Sequence, residues 1–252
     1  MHRISSPCDV CPVRNRGPCG TRNDQLFLAL TKFARRKTLK IHEFIFCEGD
    51  ISDQYFTLVA GAVKLVKSLA DGRQHIVGLM FPPGFICQSV NSHHTYSAEA
   101  STEVELCYYP RERFDMFRKA HAELEHKIFE MTVRELDTCR DQVLLLGRKS
   151  SCERVAGFLL MMAGRFSESR QSRHDNNYAH FQLPFTRSEM ADYLGLTLET
   201  VSRQFSHLKR KKIIALPSSR DVIIADIEQL AVIANIETCS NNFYSDQSRL
   251  SA

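Results

Sequence analysis

Hydrophobic positions along the 252-residue chain change their spacing several times, and the changes divide it. Residues 1–24 keep no sustained period. Pro, Gly, Arg and Asn dominate there, which reads as loop or as an arm organised by a cofactor. In DQLFLALTKFARRK (24–37), Leu26, Leu30 and Phe33 fall on one helical face. From about Leu39 to Pro110 the texture becomes that of short strands: EFIFCEGD, QYFTLVAG, AVKLVKSL, QHIVGLMF and EVELCYYP. The runs are punctuated by Glu48-Gly49-Asp50, Gly61, Asp71-Gly72 and Pro82-Pro83-Gly84. Asp71-Gly72 between two such runs predicts a hairpin. Many short strands at this spacing predict a small antiparallel β-barrel or jelly roll.

After Pro110 a helical rhythm takes over, with neither Pro nor Gly before Gly147. Phe129, Thr132, Leu136, Cys139, Val143 and Leu146 step by three and four, a heptad stripe along one long helix. Such a stripe can pack on the chain's own barrel or on the same stripe of a second copy. Residues 151–167 read as another helix and 169–180 as a polar connector. Thr186-Arg-Ser-Glu189 then has the form of a capping box, opening a helix that carries Met190, Ala191 and Leu194 inward. Gly195 ends it, Thr197 caps a second helix, and Ala191, Gly195 and Val201 leave room for the two to cross closely. That is the steric requirement of a helix-turn-helix, with LPSSRD afterwards as a wing and a short helix near 226–237. The predicted fold class is α+β. A cysteine-rich arm (1–24) leads into a β-barrel sensory domain (25–110), a dimerisation helix (111–148) and a winged helix-turn-helix (149–252) whose last dozen residues fray.

Composition changes this picture in three places. A net charge of +4 is mild, but positive residues concentrate in RQFSHLKRKK (203–212), which points to a local anionic partner. On the second helix Glu199, Ser202 and Arg203 share a face near its start, where Arg can fork onto guanine and Glu can accept from cytosine. His207, Lys209 and Arg210, with Lys211 and Lys212, suit phosphates instead. The bland alternative is a surface helix with a Glu199–Arg203 ion pair. Nothing approaches eighteen consecutive apolar residues, and the polar start has no apolar leader, so the chain is expected in the cytoplasm and off the membrane. No paired acid and base, phosphate loop or nucleophile motif suggests an enzyme. Stable disulfides are not expected there, so the nine cysteines need another explanation. Three of them, Cys8, Cys11 and Cys19, crowd into PCDVCPVRNRGPCG, one thiol short of a four-ligand site. A disulfide knot, a zinc clip, a thiol switch and a more reactive metal group all remain open on spacing alone.

Barrel, long helix and winged helix-turn-helix in this order resemble the CRP/FNR transcription regulators over essentially the whole chain. YLGLTLETVSRQF is similar to the recognition region of the FNR branch. That resemblance implies that Glu199, Ser202 and Arg203, with Thr197 beside them, read TTGAT half-sites of a two-fold operator. A two-fold operator calls for a homodimer paired through Phe129, Thr132, Leu136, Cys139, Val143 and Leu146. It implies an oxygen-labile [4Fe-4S] cluster on Cys8, Cys11, Cys19 and a fourth thiol among Cys47, Cys87 and Cys107. Cys107 stands at the matching place, and the seven-residue gap before Cys19 is similar to that of FnrL-type members. Cys47 and Cys87 then read as small strand or loop residues, and Cys139, Cys152 and Cys239 as structural. Where cyclic-nucleotide-binding relatives keep Gly-Glu and an arginine, this chain has Cys87-Gln88 and Tyr96, so no cyclic nucleotide is expected. The resemblance further implies contact with RNA polymerase, for which LADGRQH (69–75) is a candidate surface.

Overall fold

The computed structural model describes residues 8, 10–20, 23–86, 92–166 and 177–236. The chain divides into two compact units, Met1–Cys139 and Arg140–Ala252, with the boundary inside a helix.

The first unit opens with helix α1 (Asp24–Thr31), capped by Asn23, whose side chain accepts from the backbone N–H groups of Gln25 and Leu26. The sequence pattern carried this helix to Lys37, but it stops at Thr31. Arg35–Leu39 instead form strand β1, hydrogen-bonded to β8 (Val104–Pro110) with Arg36 opposite Cys107. RRKTL has no apolar alternation because β1 lies at a sheet edge with four of its side chains in solvent. Pairing with β8 decides its conformation.

Strands β2 (Phe44–Phe46), β3 (Gln54–Ala60), β4 (Val63–Ser68), β5 (Gln74–Met80), β6 (Phe85–Ile86) and β7 (Ser97–Ala100) complete two four-stranded sheets. Their orders are β1-β8-β3-β6 and β2-β7-β4-β5. Among the described residues all four edges stay open, so the expected barrel is a jelly-roll-like sandwich and not a closed cylinder. The Asp71-Gly72 turn joins β4 to β5 as the hairpin signal required, with Gly72 at φ +86°. Phe56 and Leu58 of β3 and Leu106 of β8 point between the sheets, where they meet Phe46, Val63, Leu65 and Met80. The alternate residues Tyr55, Val59, Cys107 and Tyr109 point to the outer face of the first sheet. There α1, Val13 and the next helices cover them, so β3 is buried on both faces.

The long helix expected over 111–148 is two helices, α2 (Arg111–Ala120) and α3 (Ala122–Arg148). No Pro or Gly announces the break. His121 is extended, at φ −133° and ψ 92°; its N–H donates to the Arg118 carbonyl and its own carbonyl accepts from Leu124 and Glu125. The side chains explain why. Phe114 and Leu124 are both fully buried in one cluster, yet ten residues on a straight helix would turn them about 80° apart. On α3, Ile128 and Met131 follow Leu124 onto that cluster. Phe129, Thr132, Leu136, Cys139 and Val143 face solvent, with Phe129 65% and Val143 71% exposed, while Leu146 is half-buried.

In the second unit α4 (Ser151–Phe166) is followed by β9 (Ala179–Gln182), α5 (Arg187–Leu194), α6 (Leu198–Arg210), β10 (Ile214–Ala215), β11 (Asp221–Ile224) and α7 (Ile227–Ile233). The small sheet runs β10-β11-β9. Ala179 and His180, expected in the connector, belong to β9; residues 169–176 of that connector lie outside the described residues. Arg154 ties the unit together, because its guanidinium donates to the carbonyls of Leu146, Lys149 and Leu194 at 2.7–3.0 Å. Cations suit such carbonyl-rich helix ends. Among the described residues, no helix is long and apolar enough to cross a membrane.

Candidate functional site

The outer face of the first sheet carries a cavity lined by Cys8, Cys11, Cys19 and Cys107 together. Its other walls are mainly apolar, Val13, Phe27, Ala34 and Val59 among them; Thr57 and Tyr109 also line it, with the Tyr109 hydroxyl beside Cys19. Each ligand candidate arrives by a local cause. Cys107 is turned to this face by the pleat of β8, directly opposite Thr57 of β3. The seven residues between Cys11 and Cys19 are wound into successive turns. Arg14 N–H donates to the Cys11 carbonyl, those of Arg16 and Gly17 to Val13, and that of Gly20 to Gly17, at 2.9–3.1 Å. The winding buries Val13 and brings Cys19 back toward Cys11. A Cβ on Gly20 would lie 2.5 Å from the Asn15 carbonyl oxygen, so only glycine closes the last turn. Arg14 pins the arm to α1, 4.1 Å above the Phe27 ring and 3.8 Å from Asp24.

Burial disfavours the charged form of two of these thiols. Burial pushes the Cys19 thiol up to about 11, against a hydrogen bond with the Tyr109 hydroxyl at 3.5 Å. It pushes Cys107 up to about 12, against the pull of the Arg36 guanidinium. Reactive thiols need the opposite, a lowered value in an electropositive and accessible setting. A bound metal centre would supply the charge that turns such thiols into thiolates. Among the described residues, no three His, Cys, Asp or Glu side chains converge as they do around a single ion. Tyr109 is itself raised, first by burial, and is 1% exposed. The Thr57 hydroxyl, near that of Tyr109, is buried without a hydrogen bond of ordinary geometry. Neither residue was singled out from sequence. The signal was there in Cys107-x-Tyr109, since residues two apart on a strand share a face.

The other cysteines do not join the cavity. Cys47 and Cys139 are exposed and Cys152 is half-buried. Cys139 sits on the solvent side of α3. Cys87, Gln88 and Cys239 lie outside the described residues.

The second candidate site is α6. The Thr186 hydroxyl accepts from Glu189 N–H while the Glu189 carboxylate accepts from Thr186 N–H, so the capping box that opens α5 is complete. Gly195 then takes φ +61°, and Thr197 caps α6 by accepting from Thr200 N–H. Val201, Phe205 and Leu208 turn inward at i, i+4 and i+7. Thr197, Glu199, Ser202, Arg203, Lys209 and Arg210 are left exposed and His207 half-buried. Among the described residues, Glu199 and Arg203 form no ion pair; Arg203 donates to the Thr200 hydroxyl at 3.2 Å. Hydrogen bonds from its own backbone N–H and from Thr197 hold the Glu199 carboxyl below its usual value. The wing forms between β10 and β11.

A capped helix pair with an exposed polar face, a basic end and a wing defines a DNA-binding module; with the sandwich ahead of it, the class is a helix-turn-helix transcription regulator. Residues 153–233 match the Crp-like helix-turn-helix domain family, and residues 36–121 match the cyclic nucleotide-binding domain family. The chain is 36% identical over 230 residues to the transcriptional activator protein FnrL of Cereibacter sphaeroides, covering 91% of both chains. It is 31% identical over 202 residues to the transcriptional activator protein Anr of Pseudomonas aeruginosa, covering 79% of this chain and 80% of that one. Among solved structures, FixK2 from Bradyrhizobium japonicum superimposes with a TM-score of 0.72 at 30% identity, over 79% of this chain and 96% of that one. The chain belongs to the CRP/FNR family of transcription regulators.

Proposed function

We propose that the protein is an oxygen-responsive transcription activator that holds a [4Fe-4S] cluster on Cys8, Cys11, Cys19 and Cys107. The observation that carries this reading is the shared cavity: three thiols from the arm and one from β8, nearly ninety residues on, line one apolar pocket. Four thiolates are the usual donor set of such a cluster, whose stability depends on burial and on hydrogen bonds to sulfur. A zinc clip would draw the thiols tightly around one ion, and a thiol switch would need an activated thiolate. Among the described residues the cysteines do not converge as they would on one ion, and burial holds the Cys19 and Cys107 thiols against ionisation. When bound, the cluster supplies sensitivity to oxygen. Cyclic nucleotide is disfavoured as the signal because Tyr96 stands where a phosphate-binding arginine would be, its ring against Phe46 at 5.7 Å.

Cys11, Cys19 and Cys107 pack in the same cluster as Phe114, Leu124, Ile128 and Met131. Anchoring the arm there fixes the buried side of α3. A neighbouring face of α3 carries Phe129, Thr132, Leu136, Cys139, Val143 and Leu146, which pair with a second copy in a parallel homodimer. The dimer presents two copies of Glu199, Ser202 and Arg203 to an inverted repeat of TTGAT type, with His207, Lys209 and Arg210 on phosphates. RNA polymerase is the further partner, and the exposed Leu69–Arg73 turn is a candidate contact. Anaerobic reconstitution tests the proposal: iron, visible absorbance and operator footprint should appear together and be lost together in air. Cys107→Ser should abolish all three; a full cluster in that variant sinks the ligand assignment. Mild oxidation should crosslink the dimer through Cys139, and Cys139→Ser should remain uncrosslinked on a non-reducing gel. Failure of the wild-type chain to crosslink would count against the parallel seam.

A further inference from the structure

The cavity holds two buried hydroxyls that the four-cysteine reading leaves unused. Tyr109 is 1% exposed, wedged edge-on against Phe33 (6.3 Å) and tilted on Phe114 (5.1 Å), with its hydroxyl 3.5 Å from Cys19 Sγ. Thr57 is 3% exposed, stands opposite Cys107 across the β3–β8 ladder, and its Oγ1, near the Tyr109 hydroxyl, makes no hydrogen bond of ordinary geometry. Both line the same wall as the thiols. A buried donor without an acceptor costs stability, and valine would fill the Thr57 position with the same shape. Tyr109 has the same character: phenylalanine would satisfy its ring contacts, so the hydroxyl itself needs an explanation. Thiolate or sulfide sulfur is a stronger acceptor than the thiol that the Tyr109 hydroxyl meets, and is the kind of acceptor that Thr57 lacks.

We propose that the Tyr109 and Thr57 hydroxyls donate hydrogen bonds to the sulfur of the group held by the four cysteines, and so set its reduction potential and its resistance to loss. This rests on the cluster reading above. Hydrogen bonds to sulfur withdraw electron density and stabilise the more reduced state, so they raise the potential. Partners around ligands that are not themselves ligands commonly alter metal retention by about 10–100-fold.

The test uses the full chain reconstituted anaerobically as wild type, Tyr109→Phe, Thr57→Val and Thr57→Ser. Two readouts are taken, the midpoint potential from an optical titration and the rate of iron transfer to a chelator. Tyr109→Phe should assemble the cluster, with a lower potential and iron loss about tenfold faster. Thr57→Val should move both readouts the same way by less, although the apo chain melts no earlier than wild type. Thr57→Ser keeps the hydroxyl and should restore the wild-type potential. Unchanged potential and iron loss in both Tyr109→Phe and Thr57→Val overturn the proposal; a shift in Tyr109→Phe alone overturns the part assigned to Thr57. A wild-type chain that takes up no iron overturns the cluster reading itself, and is seen before any variant is compared.

Discussion

The four thiols of the cavity come from positions 8 to 107 and are gathered on the covered face of a sheet, whereas the polar side chains of α6 come from thirteen consecutive residues and stand in solvent. The cavity depends on long-range pairing: β8 must lie beside β3, and the arm must fold back over both. Its polar atoms are few, buried and partly unsatisfied, so its ionic character changes with what it holds. The recognition helix needs two caps, a left-handed glycine and three inward apolar residues, all local. Its charges are already formed and hydrated. On the proposed reading, one site is suited to sensing because its state is conditional; the other is suited to reading because its geometry is not.

The largest effect should come from breaking the packing beneath the recognition helix while leaving the cavity alone. Leu194 is fully buried at the end of α5, in the second unit. Leu194→Ala should destabilise that unit by about 2–5 kcal/mol. DNA binding should fall in proportion, while iron uptake per chain under anaerobic reconstitution stays at the wild-type level. If iron uptake falls with the melting transition, the two sites are not separable as described.

The same contrast explains what the sequence disclosed. The starts of both helices of the reading module, the caps at Thr186 and Thr197 and the turn at Gly195 could be placed to within a residue, because each signal lies within four residues of its effect. The strands were legible wherever one run of apolar residues met a turn. β1 was not, since its basic edge carries no alternation, and neither was the break at His121, which answers to the burial of Phe114 and Leu124. The heptad stripe was visible, but not that α3 has a second stripe, Leu124, Ile128 and Met131, for its own sandwich. Phe129, Thr132, Leu136, Cys139 and Val143 face solvent, so theirs is not the stripe that packs on its own sandwich. The cavity was the least legible part. Spacing supplied three thiols and a resemblance supplied the fourth, whereas Tyr109 and Thr57 emerge only once β3 and β8 are laid side by side.

Within the recognition helix, two smaller effects separate base reading from charge. Arg203 is exposed near the start of α6, where a bidentate contact to guanine is worth about 1–3 kcal/mol. Arg203→Ala should lose that much binding to the intact operator, with little change on a site mutated at the same base pair. Equal losses on both sequences would mean that Arg203 contacts phosphate. Melting and iron content should not change.

Lys209 and Arg210 lie at the basic end of α6, in solvent, where they cannot distinguish one base pair from another. Neutralising one phosphate contributes about 0.9 to the slope of log affinity against log salt. Lys209→Ala should therefore flatten that slope by roughly 1 and weaken specific and random DNA alike, an effect that fades as salt rises and screening grows. The Arg203 deficit should persist at every salt concentration, because it is a difference between sequences and not between charge states of the backbone. Footprint titrations across a salt series thus resolve the two residues by shape. A Lys209→Ala chain with an unaltered slope would move that lysine out of the interface and leave the basic end of α6 to His207 and Arg210.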